Sequence, residues 1–157
     1  KADKSDCLID ITVDASIPET YIEDPAGRIE AYKRIAAIQN SDDASDVLDE
    51  LIDRYGDVPA SVTGLVDISL IRVQAARLGV YEISQSRDAL LLCSDRLDMA
   101  LLKPLLQSMG RRLLVNGSGK PYLSVRVQPG EKPLEVLRMA LEKMDEAASC
   151  KDGGAGL

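Results

Sequence analysis

The hydrophobic period changes near Gly79, and that change limits the folds open to this chain. Before it, apolar residues recur at helical spacing; after it, short alternating runs come in pairs. The segment Leu8 to Ala15 alternates, with Ile9, Ile11 and Val13 on one side and Asp10, Thr12 and Asp14 on the other. That is a half-buried strand with a solvated face, ended by Pro18. A helix is expected over Gly27 to Gln39, with Ile29, Tyr32, Ile35, Ala36 and Ile38 facing in. Asn40-Ser41-Asp42-Asp43 breaks it and supplies N-cap residues for the next. The second helix spans about Ala44 to Tyr55, with Val47, Leu48, Leu51, Ile52 and Tyr55 in one stripe. Gly56 suits its left-handed end, and Pro59 forbids continuation. A third helix covers about Ala60 to Leu78. It is apolar on two sides and is therefore the central one.

Strands are expected at Val80–Ser84 and Ala89–Cys93, joined by Gln85-Ser86-Arg87-Asp88. A helical segment follows over Asp98 to Met109, with Leu101, Leu102, Leu105, Leu106 and Met109 inward. Pro104 should kink it or mark a restart. Arg111–Val115 and Tyr122–Val127 are strands, and Pro133 opens a last helix to about Ala148. The fold class is α+β: an N-terminal strand and three helices, then a ββαββα unit with a small, mainly antiparallel sheet. One domain is expected over 1–150, with a helical part at about 27–79 and a sheet part at about 80–149. Residues 151–157 are expected as a flexible tail. The start at Lys1 and the Gly-rich end suggest a piece of a longer chain.

Composition narrows the chemistry. There are five Tyr and no Phe or Trp, so the core must be aliphatic. There is no His, which removes the commonest general base and metal ligand. Cys7, Cys93 and Cys150 form no C-x-x-C pair and no disulfide framework, so a reducing cytoplasm is expected. No apolar run is long enough to span a bilayer, and no membrane role is expected. Gly117-Ser118-Gly119-Lys120 has the look of a phosphate loop, but Leu114 stands where its first Gly belongs and Pro121 replaces the metal-binding hydroxyl. It is a hairpin turn. No catalytic, cofactor-binding or metal-binding residue is expected.

The net charge is −7, and no Lys/Arg stripe suits a nucleic acid. Most of the excess is local. Between Asp42 and Asp57 stand seven acids and one base, Arg54, a local charge of −6. At about 100° per residue, Asp46, Glu50 and Asp53 lie opposite the apolar stripe. Glu50 and Arg54 form an i, i+4 pair in the favourable order. That face is either solvated or a grip for a basic partner.

The run Glu50-Leu51-Ile52-Asp53-Arg54-Tyr55-Gly56-Asp57-Val58-Pro59 resembles the E-L-x-D-R-[FY]-G-x-x-P segment in the C-terminal domain of transcription-repair coupling factors. Ile17-Pro18-Glu19-Thr20-Tyr21-Ile22 resembles that domain's opening, and Arg28-Ile29-Glu30-Ala31-Tyr32-Lys33-Arg34-Ile35 its following helix. Ala75-Ala76-Arg77-Leu78-Gly79-Val80 is similar to a later helix end. The likeness covers about residues 8–83.

The resemblance implies a non-catalytic regulatory domain of an ATP-dependent DNA translocase in transcription-coupled nucleotide excision repair. It implies docking on, and masking of, the N-terminal UvrA-binding module of the same full-length protein. UvrA and RNA polymerase would be indirect partners, in the cytoplasm, with no direct nucleic-acid contact and no cofactor. The contact would be carried by Glu50, Asp53 and Arg54, with Asp46 on the same acidic face. The alternatives from composition are a generic acidic adaptor domain and a small carboxylate-based enzyme.

Overall fold

The computed structural model describes residues 7–95, 99–117 and 119–154. The chain divides into two compact units, one of Val13–Val73 and one of residues up to Thr12 and from Gln74 onward. The parting expected near Gly79 lies instead between Val73 and Gln74. The division falls inside a helix, and the N-terminal strand belongs with the sheet.

The helical unit holds α1 (Pro25–Ala36), α2 (Ser41–Tyr55) and the start of α3 (Ala60–Arg77). Local chemistry sets the ends. The Asp24 carboxylate accepts the N–H groups of Ala26 and Gly27, and Pro25 occupies the first turn of α1. The Asn40 side chain accepts the Asp43 N–H at 2.8 Å, and the Asp43 carboxylate accepts the Gln39 N–H at 3.0 Å, a reciprocal cap on α2. Gly56 ends α2 at φ 87°, where a side chain would be strained. The core is aliphatic and includes Ile17, Ile22, Ala31, Ile35, Ile38, Val47, Leu51, Val62 and Val66.

Two expected faces are corrected. On α1, Ala31 and Ile35 are buried, as is Ile38 just beyond its end, while Ile29 and Tyr32 are 57% and 40% exposed. The spacing i, i+4, i+7 suits a helix stripe as well as the expected set did, and the small Ala31 allows close packing. Tyr32 is held at the rim because its hydroxyl accepts the Ile17 N–H at 2.8 Å. On α2, Val47 and Leu51 are buried, but Ile52 lies at the flank and is 49% exposed.

The sheet unit orders its five strands β1-β2-β3-β5-β4. They are β1 (Leu8–Asp10), β2 (Val80–Ser86), β3 (Ala89–Ser94), β4 (Leu113–Asn116) and β5 (Tyr122–Arg126). β1 runs parallel to β2, and the other pairings are antiparallel, giving a small mixed sheet. β1 is shorter than its alternating pattern because only Leu8, Ile9 and Asp10 meet β2. Beyond it, Thr12 gives its N–H to the Gln85 side chain at 2.9 Å. Ile83, Leu90, Leu92, Leu123 and Val125 share one buried face, and α4 (Met99–Met109) and α5 (Pro133–Gly154) pack together in the same unit.

Here too some expectations change. α4 continues through Pro104, whose missing N–H concerns only the Ala100 carbonyl in the first turn. Asp98, its expected start, lies outside the described residues, as do the side-chain surroundings of Leu101. Leu102, Leu105 and Met109 are buried as expected. Arg111 and Arg112 sit in a 3-10 turn, Gly110–Arg112, and not in β4. The Arg112 guanidinium bonds the Arg126 carbonyl and pairs with Glu131, which fixes this turn. β4 and β5 pair as a hairpin around the Gly-rich loop, as the sequence predicts. α5 extends to Gly154, so Lys151–Gly154 are helical and not a tail. Ala147 and Ala148 are strong helix formers, and no Pro interrupts the run. Residues 155–157 lie outside the described residues.

Candidate functional site

The acidic segment forms one side of a helix pair. α2 turns Ala44, Val47 and Leu51 to the core, so its opposite side must face water. Asp46 and Asp53 stand on that outer ridge, exposed and without an ion pair among the described residues. Asp49 is exposed beside them.

Glu50 behaves differently. It is half-buried and turns toward α1, where one carboxylate oxygen pairs with the Arg34 guanidinium. The other oxygen meets the Arg54 guanidinium at 3.6 Å. One carboxylate thus serves two guanidinium groups, one from each helix. The three predicted motif residues do not share a single contact set: Glu50 and Arg54 lean to the α1 side, and Asp53 stays on the ridge. The 60° or so between neighbouring wheel positions, together with the reach of a Glu side chain, accounts for this split.

Arg54 is fixed further by Tyr55, whose ring centre lies 5.5 Å from the guanidinium carbon. Tyr55 in turn meets the Tyr21 ring at 5.8 Å between centroids, tilted by 59°. The Tyr21 hydroxyl lies 3.2 Å from the Leu51 carbonyl and 3.0 Å from that of Gly56, so it can donate to either carbonyl at the end of α2. Burial, with help from Asp57 and then Tyr55, pushes the Tyr21 phenol up from its ordinary value. A shallow cleft runs between α1 and α2, floored by Ala31, Val47 and Leu51 and rimmed by Arg34, Glu50 and Arg54. Gly27 lines it as well and packs closely. A Cβ there would come within 3.2 Å of Ile22 and 3.4 Å of the Tyr55 hydroxyl.

Arg34, Tyr21 and Gly27 escape sequence reasoning as site residues. Arg34 lies in a recognisable motif, but nothing in linear spacing says that it reaches Glu50 across two helices. Among the described residues no group of three or more Cys, Asp or Glu side chains could hold a metal ion. No helix among them is long and apolar enough to cross a membrane. The site displays exposed charge beside a small apolar cleft.

Comparison with known proteins gives a consistent result. The TRCF domain family model matches residues 11–109. The transcription-repair-coupling factor of Bacillus subtilis is 32% identical over 133 residues, covering 82% of this chain and 11% of that protein. That of Staphylococcus epidermidis is 28% identical over 155 residues, covering 96% and 13% respectively. The chain therefore spans little more than a tenth of the length of these relatives. A crystal structure of the C-terminal domain of transcription-repair coupling factor aligns with TM-score 0.80 at 24% identity. It covers 94% of this chain and 98% of that one, a likeness of fold. Similarity thus runs well beyond the 8–83 segment that carries the motifs.

Proposed function

The chain belongs to the TRCF domain family, and from that premise we propose that it is a non-catalytic regulatory domain of a transcription-coupled repair translocase. In this reading it docks on the UvrA-binding module of the same full-length protein and masks it. The outer side of α2 makes the contact, through Asp46, Glu50, Asp53 and Arg54. UvrA and RNA polymerase are then served indirectly, in the cytoplasm, and the motor lies in parts of the protein beyond this chain.

One observation carries the reading: Asp46 and Asp53 are exposed carboxylates that form no ion pair among the described residues, on a segment that bears most of the net charge. Glu50 and Arg54 support it, because they are already held in place and would lose little freedom on binding. A polar face also suits a contact that must open, since inter-domain contacts that move are more polar than permanent ones. A trigger opens such a latch only if it binds the open state better than the closed one.

Titration calorimetry of this chain with the UvrA-binding module, over a salt series, tests the proposal. Asp53→Lys should weaken binding by about tenfold or more, equivalent to roughly 1.4 kcal/mol. Affinity should also fall as salt screens the charges. Equal affinity for the parent chain and Asp53→Lys at low salt would remove α2 from the contact.

A further inference from the structure

The α1–α2 pair carries both signs of charge. α2 holds six acids against one base, whereas α1 holds three basic residues against one acid. The cleft lies along the line where the two signs meet. On its rim, Arg34 and Arg54 share a single carboxylate, that of Glu50. Two guanidinium groups offer ten N–H donors by their chemistry, and one carboxylate occupies only a few of them. The triad therefore keeps one net positive charge and several unfilled donors, at side-chain exposures of 45% and 53% for the two arginines. Lys33 adds a further exposed positive charge on α1. Glu30 is the opposing charge on the same rim, and it is exposed and forms no ion pair among the described residues.

We infer that the α1–α2 cleft receives a carboxylate side chain, so that the docking partner must present an acidic residue over Arg34 and Arg54 as well as basic residues toward Asp46 and Asp53. A planar guanidinium binds a carboxylate through two parallel hydrogen bonds, and two guanidiniums at one cleft mouth favour it further. The apolar floor of Ala31, Val47 and Leu51 receives the methylene stem of the guest. The Tyr55 ring, 5.5 Å from the Arg54 guanidinium carbon, restrains this guanidinium at the rim. A purely basic partner would meet attraction on the ridge and repulsion at the cleft. The two-signed pattern thus fixes the register of docking as well as its strength.

The partner's identity rests on the function proposed above, but the cleft's preference does not, and the two separate in experiment. Isotope-labelled chain is titrated with N-acetyl-glutamate and, in parallel, with N-acetyl-glutamine, following the Nε–H signals of Arg34 and Arg54 and the Gly27 amide. Saturable shifts in the millimolar range are expected with the acid only, and they should vanish in Arg34→Met. Equal responses to acid and amide, or none, would overturn the inference. Against the UvrA-binding module, Arg34→Met should lose about tenfold in affinity and Arg34→Lys about half as much on a logarithmic scale. If Asp53→Lys weakens that complex while Arg34→Met leaves it unchanged, the cleft has no guest and the ridge alone docks. If N-acetyl-glutamate binds but Asp53→Lys changes nothing, the carboxylate receptor stands and its assigned partner falls.

Discussion

In the sheet unit, Ile83, Leu90, Leu92, Leu123 and Val125 are shut away from water and touch one another through paired strands. In the helical unit the aliphatic core is joined by a polar layer. Tyr21 seals the end of α2, Tyr32 holds the segment before α1, and Glu50 ties α1 to α2 through Arg34. The sheet unit relies mainly on non-directional burial, which scales with area, and keeps its polar ties, such as Arg112 to Glu131, at its edge. The helical unit adds directional contacts that are individually modest but fix side chains in place. The difference teaches where recognition can be built. A face meant to meet another module needs charges held in set positions, and the helical unit supplies them.

The largest expected effect lies in the sheet. Leu90→Ala empties a site at the middle strand of the sheet, where Leu90 faces Val125 and is fully buried. A loss of about 2–5 kcal/mol is expected in denaturant unfolding, because the cavity cost adds to the transfer cost. A loss below 1 kcal/mol would mean that the sheet unit is held by something other than packing, and the comparison would fail on that side.

Much of this architecture is legible in the amino-acid order, for reasons that differ by element. α2 is legible because Asn40, Gly56 and Pro59 mark its ends and its apolar residues repeat cleanly. The sheet pairs are legible because Leu90 and Leu92 alternate with half-exposed neighbours, and period two has few rivals. The inward face of α1 is not. Ile29, Tyr32 and Ala36 form one stripe, Ala31, Ile35 and Ile38 another, and only tertiary packing chooses between them. The parallel pairing of β1 with β2 is hidden as well, since it joins residues far apart in the chain. In the candidate site, the ridge acids and Arg54 follow from helical spacing. The turn of Glu50 toward Arg34 depends on where α1 lands, which no local pattern encodes.

An intermediate effect should come from Tyr21, and it compares the units by pH. Tyr21→Phe removes a hydroxyl that donates to the Leu51 or the Gly56 carbonyl, at an expected cost of roughly 0.5–1.5 kcal/mol. Folding favours the protonated phenol, so the folded chain keeps this proton to higher pH than the unfolded chain does. The associated stability is fully present below the ordinary value of 10.0 and falls as pH rises through it. Tyr21→Phe should therefore flatten part of the alkaline decline in thermal unfolding. Tyr81 and Cys93 in the sheet unit, both pushed up chiefly by burial, contribute to the same decline. An unchanged alkaline slope would show that Tyr21 does not couple to folding.

The smallest effect is expected where the ionic contact is most conspicuous. Arg34 and Glu50 pair across two helices, yet their side chains are 45% and 33% exposed. Water screens such a pair, and ordering two long side chains opposes it, so Arg34→Met should cost only about 0.2–1 kcal/mol in denaturant unfolding. The Met stem can still cover the cleft floor, which keeps the packing contribution nearly constant. Held against the Leu90→Ala result, a small loss here would place the ion pair among the groups that orient the proposed docking face, with the burden of stability left to the aliphatic core. A loss above about 2 kcal/mol would instead make Arg34 a brace of the fold, beyond what a half-exposed pair supplies. Changes in partner binding by Arg34 variants would then report damage to α1–α2 packing, and the distinction drawn between the two units would have to be given up.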